Sequence, residues 1–209
     1  MAASRAPPII ARVPDPPLVL ASASPRRRAL LRGVGLDFEV RPADLDESPL
    51  PGERPADTLS RLAREKALAV ARKLAAPPRL VLGADTGVVL GDTLFGKPRD
   101  RDDAVHLLSQ LVGRTHEVIT AVAVAEGAGE RVWECRVTSR VTLREASRDE
   151  IAAYVAGGEP MDKAGAYAFQ GEGRRFVRDV RGSMSNVIGL PMEETLALLA
   201  RARAGEGSA

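Results

Sequence analysis

The chain contains very little cysteine, and this scarcity limits both its chemistry and its compartment. Its 209 residues include a single cysteine, Cys135. One cysteine excludes an intrachain disulfide and a zinc site built from several cysteines, and it is typical of a reducing compartment. We therefore predict a cytoplasmic protein.

The chain also lacks an excess of either charge and a long apolar run near its N-terminus. Its 30 Lys and Arg residues face 28 Asp and Glu residues, which leaves a net charge of +2. That charge is too small for a surface that coats a polyanion, so no nucleic-acid partner is predicted. Residues 1–17 contain only one short apolar pair, Ile9-Ile10, among prolines. We predict a flexible arm there, with no signal peptide, membrane span or membrane partner.

The remaining sequence is long enough for one domain of mixed α/β structure. Hydrophobic residues make up 44% of the chain, enough for one sizeable core in a length that would be cramped for two domains. We predict a single domain over residues 18–203 and a disordered tail over 204–209. Apolar runs and alternation predict strands, and helical spacing with capping residues predicts helices. The predicted strands are 17–21, 37–40, 80–84, 88–90, 116–125, 131–144 and 176–180, and the predicted helices are 25–33, 58–75, 100–111, 147–155 and 192–203.

A cluster of arginines stands at the start of the first predicted helix. Ser24 suits the N-cap and Pro25 the first helical position, so Arg26, Arg27 and Arg28 fall in the first turn. There they oppose the positive end of the helix dipole, at a cost of up to about 1 kcal/mol each. Helix N-terminal amides and guanidinium groups together bind phosphate, and Arg27 shares the apolar stripe that faces the core. The alternative is a solvated basic helix start.

Two charged residues interrupt apolar patterns. Lys66 falls inside the apolar stripe of its helix, which predicts an anion beside it, although a lysine there can also extend to the rim. Asp85 follows the apolar run of residues 80–84, at the strand end where open α/β sheets place ligand crevices, and Thr86 adds a hydroxyl. Such an aspartate can hold Mg²⁺ or accept a proton from water, or it can cap a turn.

Residues 91–98 almost match the phosphate-binding loop G-x-x-x-x-G-K-[ST]. Pro98 follows Lys97 where that motif needs a hydroxyl, and a proline there does not suit a helix that continues from the lysine. The motif is therefore rejected. Lys97 can still meet a phosphate as a point charge, or it can be an ordinary lysine at the end of a hairpin.

The segment of residues 157–173 is rich in glycine and carries both charge signs. Glu159, Asp162 and Lys163 are close to Gln170, whose amide can read the hydrogen-bonding edge of a base. These features indicate a substrate-reading loop, with an ordinary surface turn as the alternative. Residues 182–186 can supply further polar groups or shape a turn, and the turn is favoured.

The sequence shows none of the usual signatures of covalent or nicotinamide chemistry. It has no apparent Ser-His-Asp or Cys-His arrangement, no metal-binding histidine pair and no G-x-G-x-x-G fingerprint. Of its two histidines, His106 is predicted to be exposed, and His116 is predicted to contribute at most to the rim of a site. The class of chemistry that remains is phosphate chemistry carried out by a metal ion, water and a carboxylate.

At this point the chain resembles the Maf family of nucleotide pyrophosphatases from Leu18 to Leu199. One departure is Gly87, where family members more often carry a branched apolar residue. The motifs that carry the resemblance are Leu20-Ala21-Ser22-Ala23-Ser24-Pro25-Arg26-Arg27, Asp46-Glu47-Ser48, Leu62-Ala63 with Lys66-Ala67, Gly83-Ala84-Asp85-Thr86, Gly96-Lys97-Pro98, Thr115-His116-Glu117-Val118, Asp162-Lys163-Ala164-Gly165-Ala166-Tyr167 with Gln170-Gly171, and Gly182-Ser183 through Asn186-Val187 to Gly189-Leu190-Pro191.

The resemblance implies a two-lobed α/β molecule, a mixed sheet flanked by helices with a central substrate cleft. It also implies a homodimer, a nucleoside triphosphate substrate and a divalent cation, Mg²⁺ or Mn²⁺. Asp85 would be the proton acceptor, and Glu47 would assist the metal or water, so both would serve the cation. The residues that would hold the triphosphate are Ser22, Arg26, Arg27, Lys66, Lys97 and Lys163, with Lys97 also assigned to catalysis.

The resemblance further indicates which base is read. In the branch of the family that acts on dTTP and UTP, the base is read by the positions that here are Arg26, Thr86 and Gln170. The branch that prefers 7-methyl-GTP more often has an acidic residue in place of Gln170, and it usually lacks Lys163. The pyrimidine branch is therefore favoured, with a house-cleaning role linked in the family to cell-division arrest. The alternatives are a 7-methyl-GTP pyrophosphatase and a non-catalytic nucleotide-binding regulator of septum formation.

Overall fold

The computed structural model of the protein describes residues 18–74, 79–127 and 131–207. The predicted arm of residues 1–17 lies outside the described residues, as do residues 208–209 of the predicted tail. The strands are β1 (Leu18–Leu20), β2 (Phe38–Val40), β3 (Leu80–Leu90), β4 (Thr93–Phe95), β5 (Thr115–Glu126), β6 (Arg131–Leu143) and β7 (Val177–Arg181). The helices are α1 (Pro25–Gly33), α2 (Pro55–Ala71), α3 (Arg101–Leu111), α4 (Arg148–Ala156), α5 (Met184–Ile188) and α6 (Met192–Ala204), with short 3₁₀ turns at Glu159–Asp162, Ala164–Ala166 and Glu172–Phe176.

The strands form one mixed sheet of seven, in the order β2-β1-β3-β5-β6-β7, with β4 paired to β3. Strand β1 is parallel to β2 and to β3 because helices α1 and α2 supply the crossovers that parallel pairs need. Strands β5 and β6 form a long antiparallel hairpin, and β7 extends it. The predicted class, a mixed α/β sheet flanked by helices, is confirmed.

Strand β3 differs from its prediction, because it runs unbroken from Leu80 to Leu90. Asp85 was expected at the end of a strand, and that expectation is wrong: Asp85 pairs with Ala121 in the middle of the β3–β5 ladder. On one edge of β3, pairing with β5 continues from Leu80 to Val89 and satisfies the backbone hydrogen-bonding groups. On the other side the pairing with β1 stops at Leu20 and Leu82. Asp85 therefore lies just past the end of a neighbouring strand, where the sheet opens.

The apolar core is divided between two lobes. In the first lobe, α2 covers one face of the sheet around Val81, while α1 and α6 cover the opposite face around Leu82. In the second lobe, α3 and α4 pack with Phe176 against the far ends of β3, β5 and β6. These three strands run through both lobes, since β5 contributes Ala123 to the first and Val118 to the second.

Helix α2 packs unusually close to β3. A Cβ atom at Gly83 would lie 2.3 Å from the carbonyl oxygen of Ala63 and 2.7 Å from the amide nitrogen of Ala67. Only a glycine fits under these two groups of the helix. Because Lys66 precedes Ala67, this close approach brings the lysine down onto the sheet near Asp85.

The C-terminal helix extends slightly further than predicted. Helix α6 ends at Ala204, and Gly205 closes it in the left-handed conformation. The Nε1 group of Trp133 donates a hydrogen bond of 2.7 Å to the carbonyl oxygen of Glu206, so this part of the predicted tail packs on β6. Within the part of the chain that the structure describes, no helix is long and apolar enough to cross a bilayer.

Candidate active site

A cavity of about 610 Å³ opens between the two lobes. Both lobes contribute to its wall, which brings together all of the site residues predicted from the sequence. Their individual roles stay predictions. The predicted residues that line the cavity are Ser22, Arg26, Arg27, Glu47, Lys66, Asp85, Thr86, Lys97, Lys163 and Gln170.

Arg27 is buried at the start of α1 and is held by three separate elements. The N-cap of the helix is Ser24, as predicted, and its hydroxyl accepts from the Arg27 amide. The guanidinium donates from Nε to the carbonyl of Gly189 at 2.8 Å, from Nη1 to Ser22 Oγ at 3.1 Å and from Nη2 to Thr86 Oγ1 at 3.0 Å. Burial lowers the pKa of Arg27, and the charge of the Asp85 carboxylate opposes this shift. The remaining N–H groups on Nη1 and Nη2 can bind an anion.

Lys66 meets an anion, as its place in the apolar stripe predicts. Its ammonium group contacts the carboxylates of Asp85 and, at 2.9 Å, Glu47. The Lys66 side chain is 9% exposed and that of Asp85 is 14% exposed, whereas Glu47 is 51% exposed in the loop before α2. The buried ammonium group of Lys66 thus contacts one largely buried carboxylate, Asp85, and one exposed carboxylate, Glu47, beside the cavity.

The opposite wall carries cations that are more exposed. The ammonium of Lys163 donates to the carbonyl of Glu159 at 2.8 Å and contacts the Asp162 carboxylate, which also receives Arg26 Nη1 at 3.3 Å. The ion pair of Arg26 and Asp162 spans the cleft between the lobes. Lys97 follows β4 and is exposed, and its ammonium has no hydrogen-bond or ion-pair partner within residues 18–74, 79–127 and 131–207.

The structure agrees with the rejection of a phosphate-binding loop at residues 91–98. Lys97 stands at the end of a β-hairpin formed by β3 and β4, and the next helix, α3, begins only at Arg101 after its N-cap Asp100. No helix N-terminus therefore follows the lysine directly. Lys97 can act only as a single charge at the mouth of the cavity.

Thr86 lies beneath the cavity in a buried polar network. Its hydroxyl accepts from Arg27, lies 3.0 Å from Thr120 Oγ1 and donates to the Gly189 carbonyl at 3.3 Å. Thr120 in turn donates to the carbonyl of Asn186 at 3.2 Å. The network links β3 and β5 to the segment that carries the Gly189 carbonyl, and so it fixes Arg27.

Residues 182–186 were predicted to shape a turn, and this is wrong for most of them, because α5 begins at Met184. Ser183 caps that helix by accepting from the Asn186 amide. The Nδ2 group of Asn186 donates to the Val118 carbonyl and to Ser139 Oγ, both at 2.9 Å. This fully buried amide holds α5 on the sheet. Its contacts join strands distant in sequence, so no local pattern could have predicted them.

His116 was predicted to contribute at most to the rim of the site, and the structure buries it behind the cavity wall. Only 2% of it is exposed, and its Nε2 atom lies 2.8 Å from the hydroxyl of Tyr167, which lines the cavity. Burial lowers the pKa of His116 to about 4. The alternation along β5 carries the missing signal, because His116 shares the inward face with Val118. His106, by contrast, is exposed as predicted.

Comparison with known proteins identifies close relatives of the whole folded region. A family model described as Maf-like protein matches residues 17–202. A dTTP/UTP pyrophosphatase from Anaeromyxobacter dehalogenans is 56% identical over 189 residues, which cover 90% of this chain and 94% of the relative. A dTTP/UTP pyrophosphatase from Myxococcus xanthus is 52% identical over 185 residues, covering 88% of this chain and 92% of the relative.

Solved structures give more distant matches. A HAM1 protein from Coxiella burnetii is 18% identical with a TM-score of 0.45, over 63% of this chain and 75% of that one. A nucleoside-triphosphatase, or dITP/XTP pyrophosphatase, from Mycobacterium abscessus is 18% identical with a TM-score of 0.39, over 90% of this chain and 95% of that one. Similarity at this level carries no argument about the site.

Proposed function

Because the chain belongs to the Maf family, we propose that it hydrolyses dTTP and UTP to the nucleoside monophosphate and pyrophosphate. The observation that carries this proposal is the cavity itself, where the Asp85 and Glu47 carboxylates converge on Lys66 beside a wall of arginine and lysine side chains. This combination suits a substrate with several negative charges and a water molecule to be deprotonated. The name of the relatives supplies the substrate class.

The cations of both walls are proposed to bind the triphosphate. Arg27 and Lys66 come from the first lobe, and Lys97 and Lys163 come from the second. Phosphoryl chemistry depends mainly on positioning and on neutralising charge in the transition state and the leaving group. Cations fixed on two facing walls hold the substrate in line and stabilise the departing pyrophosphate. Ser22 adds a hydroxyl beside Arg27.

Asp85 is proposed to accept the proton from the attacking water. Its carboxylate is held by Lys66 at the cavity wall, beside the opening in the sheet. Asp85 and Glu47 are also proposed to hold a divalent cation, Mg²⁺ or Mn²⁺. Their contact with one ammonium group puts them within reach of one ion, and Mg²⁺ often binds through one or two carboxylates and substrate phosphates. When bound, the cation neutralises phosphate charge.

Base recognition is proposed to involve Arg26, Thr86 and Gln170. Arg26 and Gln170 line both the main cavity and a second, smaller pocket, so they lie at the edge of the main cavity. A glutamine amide offers both a donor and an acceptor, which matches the N3–H and O4 groups of uracil and thymine. Thr86 lines the cavity on the same wall as Arg26, and its hydroxyl, which accepts from Arg27, is proposed to complete the base-reading set.

We also propose a cytoplasmic homodimer without a nucleic-acid partner, acting in nucleotide house-cleaning linked to cell-division arrest. The single cysteine supports a reducing compartment, and the net charge of +2 supports the absence of a nucleic-acid partner. Sedimentation equilibrium over a range of protein concentrations tests the dimer. A monomer at all concentrations would contradict it.

Turnover of a panel of nucleoside triphosphates tests the activity. The panel contains UTP, dTTP, CTP, GTP and 7-methyl-GTP, each with Mg²⁺ and Mn²⁺, and pyrophosphate and phosphate release are measured separately. We expect pyrophosphate release to be fastest with UTP and dTTP. Faster turnover of 7-methyl-GTP would favour the other branch of the family, and binding without any turnover would favour a regulator. Release of phosphate with a diphosphate product would contradict the proposed reaction.

A further inference from the structure

The glycine-rich segment of residues 157–173 carries two of the proposed substrate residues, Lys163 and Gln170. It contains three 3₁₀ turns and no longer helix or strand. Fixing such a segment in one conformation costs backbone entropy at every residue, so specific contacts must hold it. Those contacts converge on Glu159 and Tyr154.

The carboxylate of Glu159 accepts hydrogen bonds from one side chain and from two backbone amides. Its Oε2 atom accepts from the hydroxyl of Tyr154 at 2.7 Å and from the amide of Gly173 at 2.8 Å, and Oε1 accepts from the amide of Glu172 at 3.0 Å. Burial disfavours the charged form, but these hydrogen bonds hold the pKa of Glu159 below its ordinary value. The carboxylate therefore stays ionised and remains an acceptor for all three groups.

Gly171 adds a steric contact to the same carboxylate. A Cβ atom at this position would lie 2.0 Å from Glu159 Oε1, and the residue has a φ of 92°. Gly171 is therefore pressed against the carboxylate in a conformation that suits glycine. Because Gln170 is the preceding residue, its backbone position follows from the placement of Glu159.

Tyr154 secures the segment on the other side of Gln170. Its hydroxyl donates to Glu159 and also accepts from the amide of Ala168 at 3.2 Å. The two side chains, which we name the Tyr154–Glu159 pair, thus bind the backbone before Gln170 at Ala168 and after it at Gly173. Neither side chain lines the cavity.

We propose that the Tyr154–Glu159 pair positions Gln170 and thereby sets the discrimination between uracil and cytosine. A glutamine amide held in one orientation suits the N3–H and O4 groups of uracil, whereas the flipped amide suits cytosine. A firmly placed backbone is needed to keep the amide in one orientation. Both members are positioning residues that act through Gln170, and the inference rests on the proposed pyrophosphatase function.

The substitution Glu159→Gln tests the inference most directly. It keeps the size of the side chain, but its NH₂ group would face a backbone N–H or the tyrosine hydroxyl. The ratio of kcat/KM for UTP to that for CTP should fall by about 10-fold, because one hydrogen bond of the set is lost and the segment loosens. Inhibition by pyrophosphate should stay near the wild-type value, because Lys163 is held by the main-chain carbonyl of Glu159.

Glu172→Gln is the matched control. Glu172 lies in the same segment and its exposed carboxylate pairs with Arg175 at 3.5 Å, so the substitution removes the same charge without touching the pair. Its UTP-to-CTP ratio should equal that of the wild type. A fall as large as that of Glu159→Gln would assign the effect to charge and overturn the inference.

Tyr154→Phe provides a second variant that leaves the carboxylate and its two amide bonds intact. The UTP-to-CTP ratio should fall by about 3-fold, and in the double variant the two effects should be less than additive. If Glu159→Gln does not fold, the UTP-to-CTP ratio of Tyr154→Phe alone tests the inference. Folded variants with lower thermal stability and unchanged selectivity would make the pair purely structural and overturn the inference. A wild type that releases no pyrophosphate from UTP would instead remove the proposed function, and the inference with it.

Discussion

The two walls of the cavity are built in opposite ways. On the first lobe, Arg27, Lys66 and Asp85 stand on regular elements, are largely buried and contact one another or their supports directly. On the second lobe, Lys163 and Gln170 stand on an irregular segment that a few hydrogen bonds hold in place. The rigid wall therefore suits the proposed proton acceptor, Asp85, whereas the irregular wall places the proposed base reader Gln170 next to a proposed phosphate-binding lysine, Lys163.

The largest effect is expected from a substitution on the rigid wall, Asp85→Asn. Loss of the proton acceptor should lower kcat by roughly 10³-fold. Nucleotide affinity, measured by isothermal titration calorimetry, should change little because the cations remain. Asp92→Asn is the matched control, since Asp92 is exposed in the turn between β3 and β4. A kcat near that of the wild type for Asp85→Asn would remove this residue from catalysis.

The support of the rigid wall is tested by Gly83→Ala. The new Cβ atom has no room beneath Ala63 and Ala67, so α2 must move away from β3. We expect the free energy of unfolding in urea to fall by about 3 kcal/mol. The kcat should fall as well, because Lys66 moves with the helix. Gly33→Ala, where a Cβ atom meets nothing within 4 Å, should leave both quantities nearly unchanged. Equal stability of the two variants would contradict the close packing.

On the irregular wall, Gln170→Glu should change the selectivity for the base more than it changes the metal requirement of the reaction. The carboxylate cannot donate to O4 of the base, so kcat/KM for UTP and dTTP should fall by about 10-fold. The concentration of Mg²⁺ that gives half-maximal rate should stay the same. Gln110→Glu on α3, outside the cavity, is the control. Unchanged selectivity would exclude Gln170 from base reading.

The smallest effect is expected where the walls meet, at the exposed ion pair of Arg26 and Asp162. Exposed pairs contribute little, so Asp162→Asn should leave stability within about 1 kcal/mol of the wild type. Removal of a negative charge beside Lys163 should lower KM for UTP by about 2-fold at low salt, and the difference should vanish as salt screens it. A large loss of stability would show that the pair holds the lobes together.

The same contrast explains what could be predicted from the sequence. Lys66 and Arg27 interrupt a helical stripe, and a local repeat is enough to reveal that both face inward. The full length of strand β3 was harder to predict, because Asp85 and Thr86 interrupt its apolar run although its pairing with β5 continues past them. Glu47 entered the predicted site through the resemblance to a family alone, and Lys97 was first indicated by a near match to a phosphate-binding loop.

The supports of the site could not be predicted, because most of them join residues far apart in the chain. His116 contacts Tyr167, and Asn186 contacts Ser139. The Tyr154–Glu159 pair is closer in sequence, yet its contacts to the backbone depend on how the irregular segment folds back. Residue type alone indicates a polar group, and only the fold supplies its partner.

The three strands that run through both lobes also determine how the molecule comes apart. Strands β3, β5 and β6 give residues to the cores of both lobes, so the described part of the chain contains no linker between two units that could unfold separately. Calorimetry should therefore record a single cooperative transition, and a protease should find no nicking point at the boundary between the lobes.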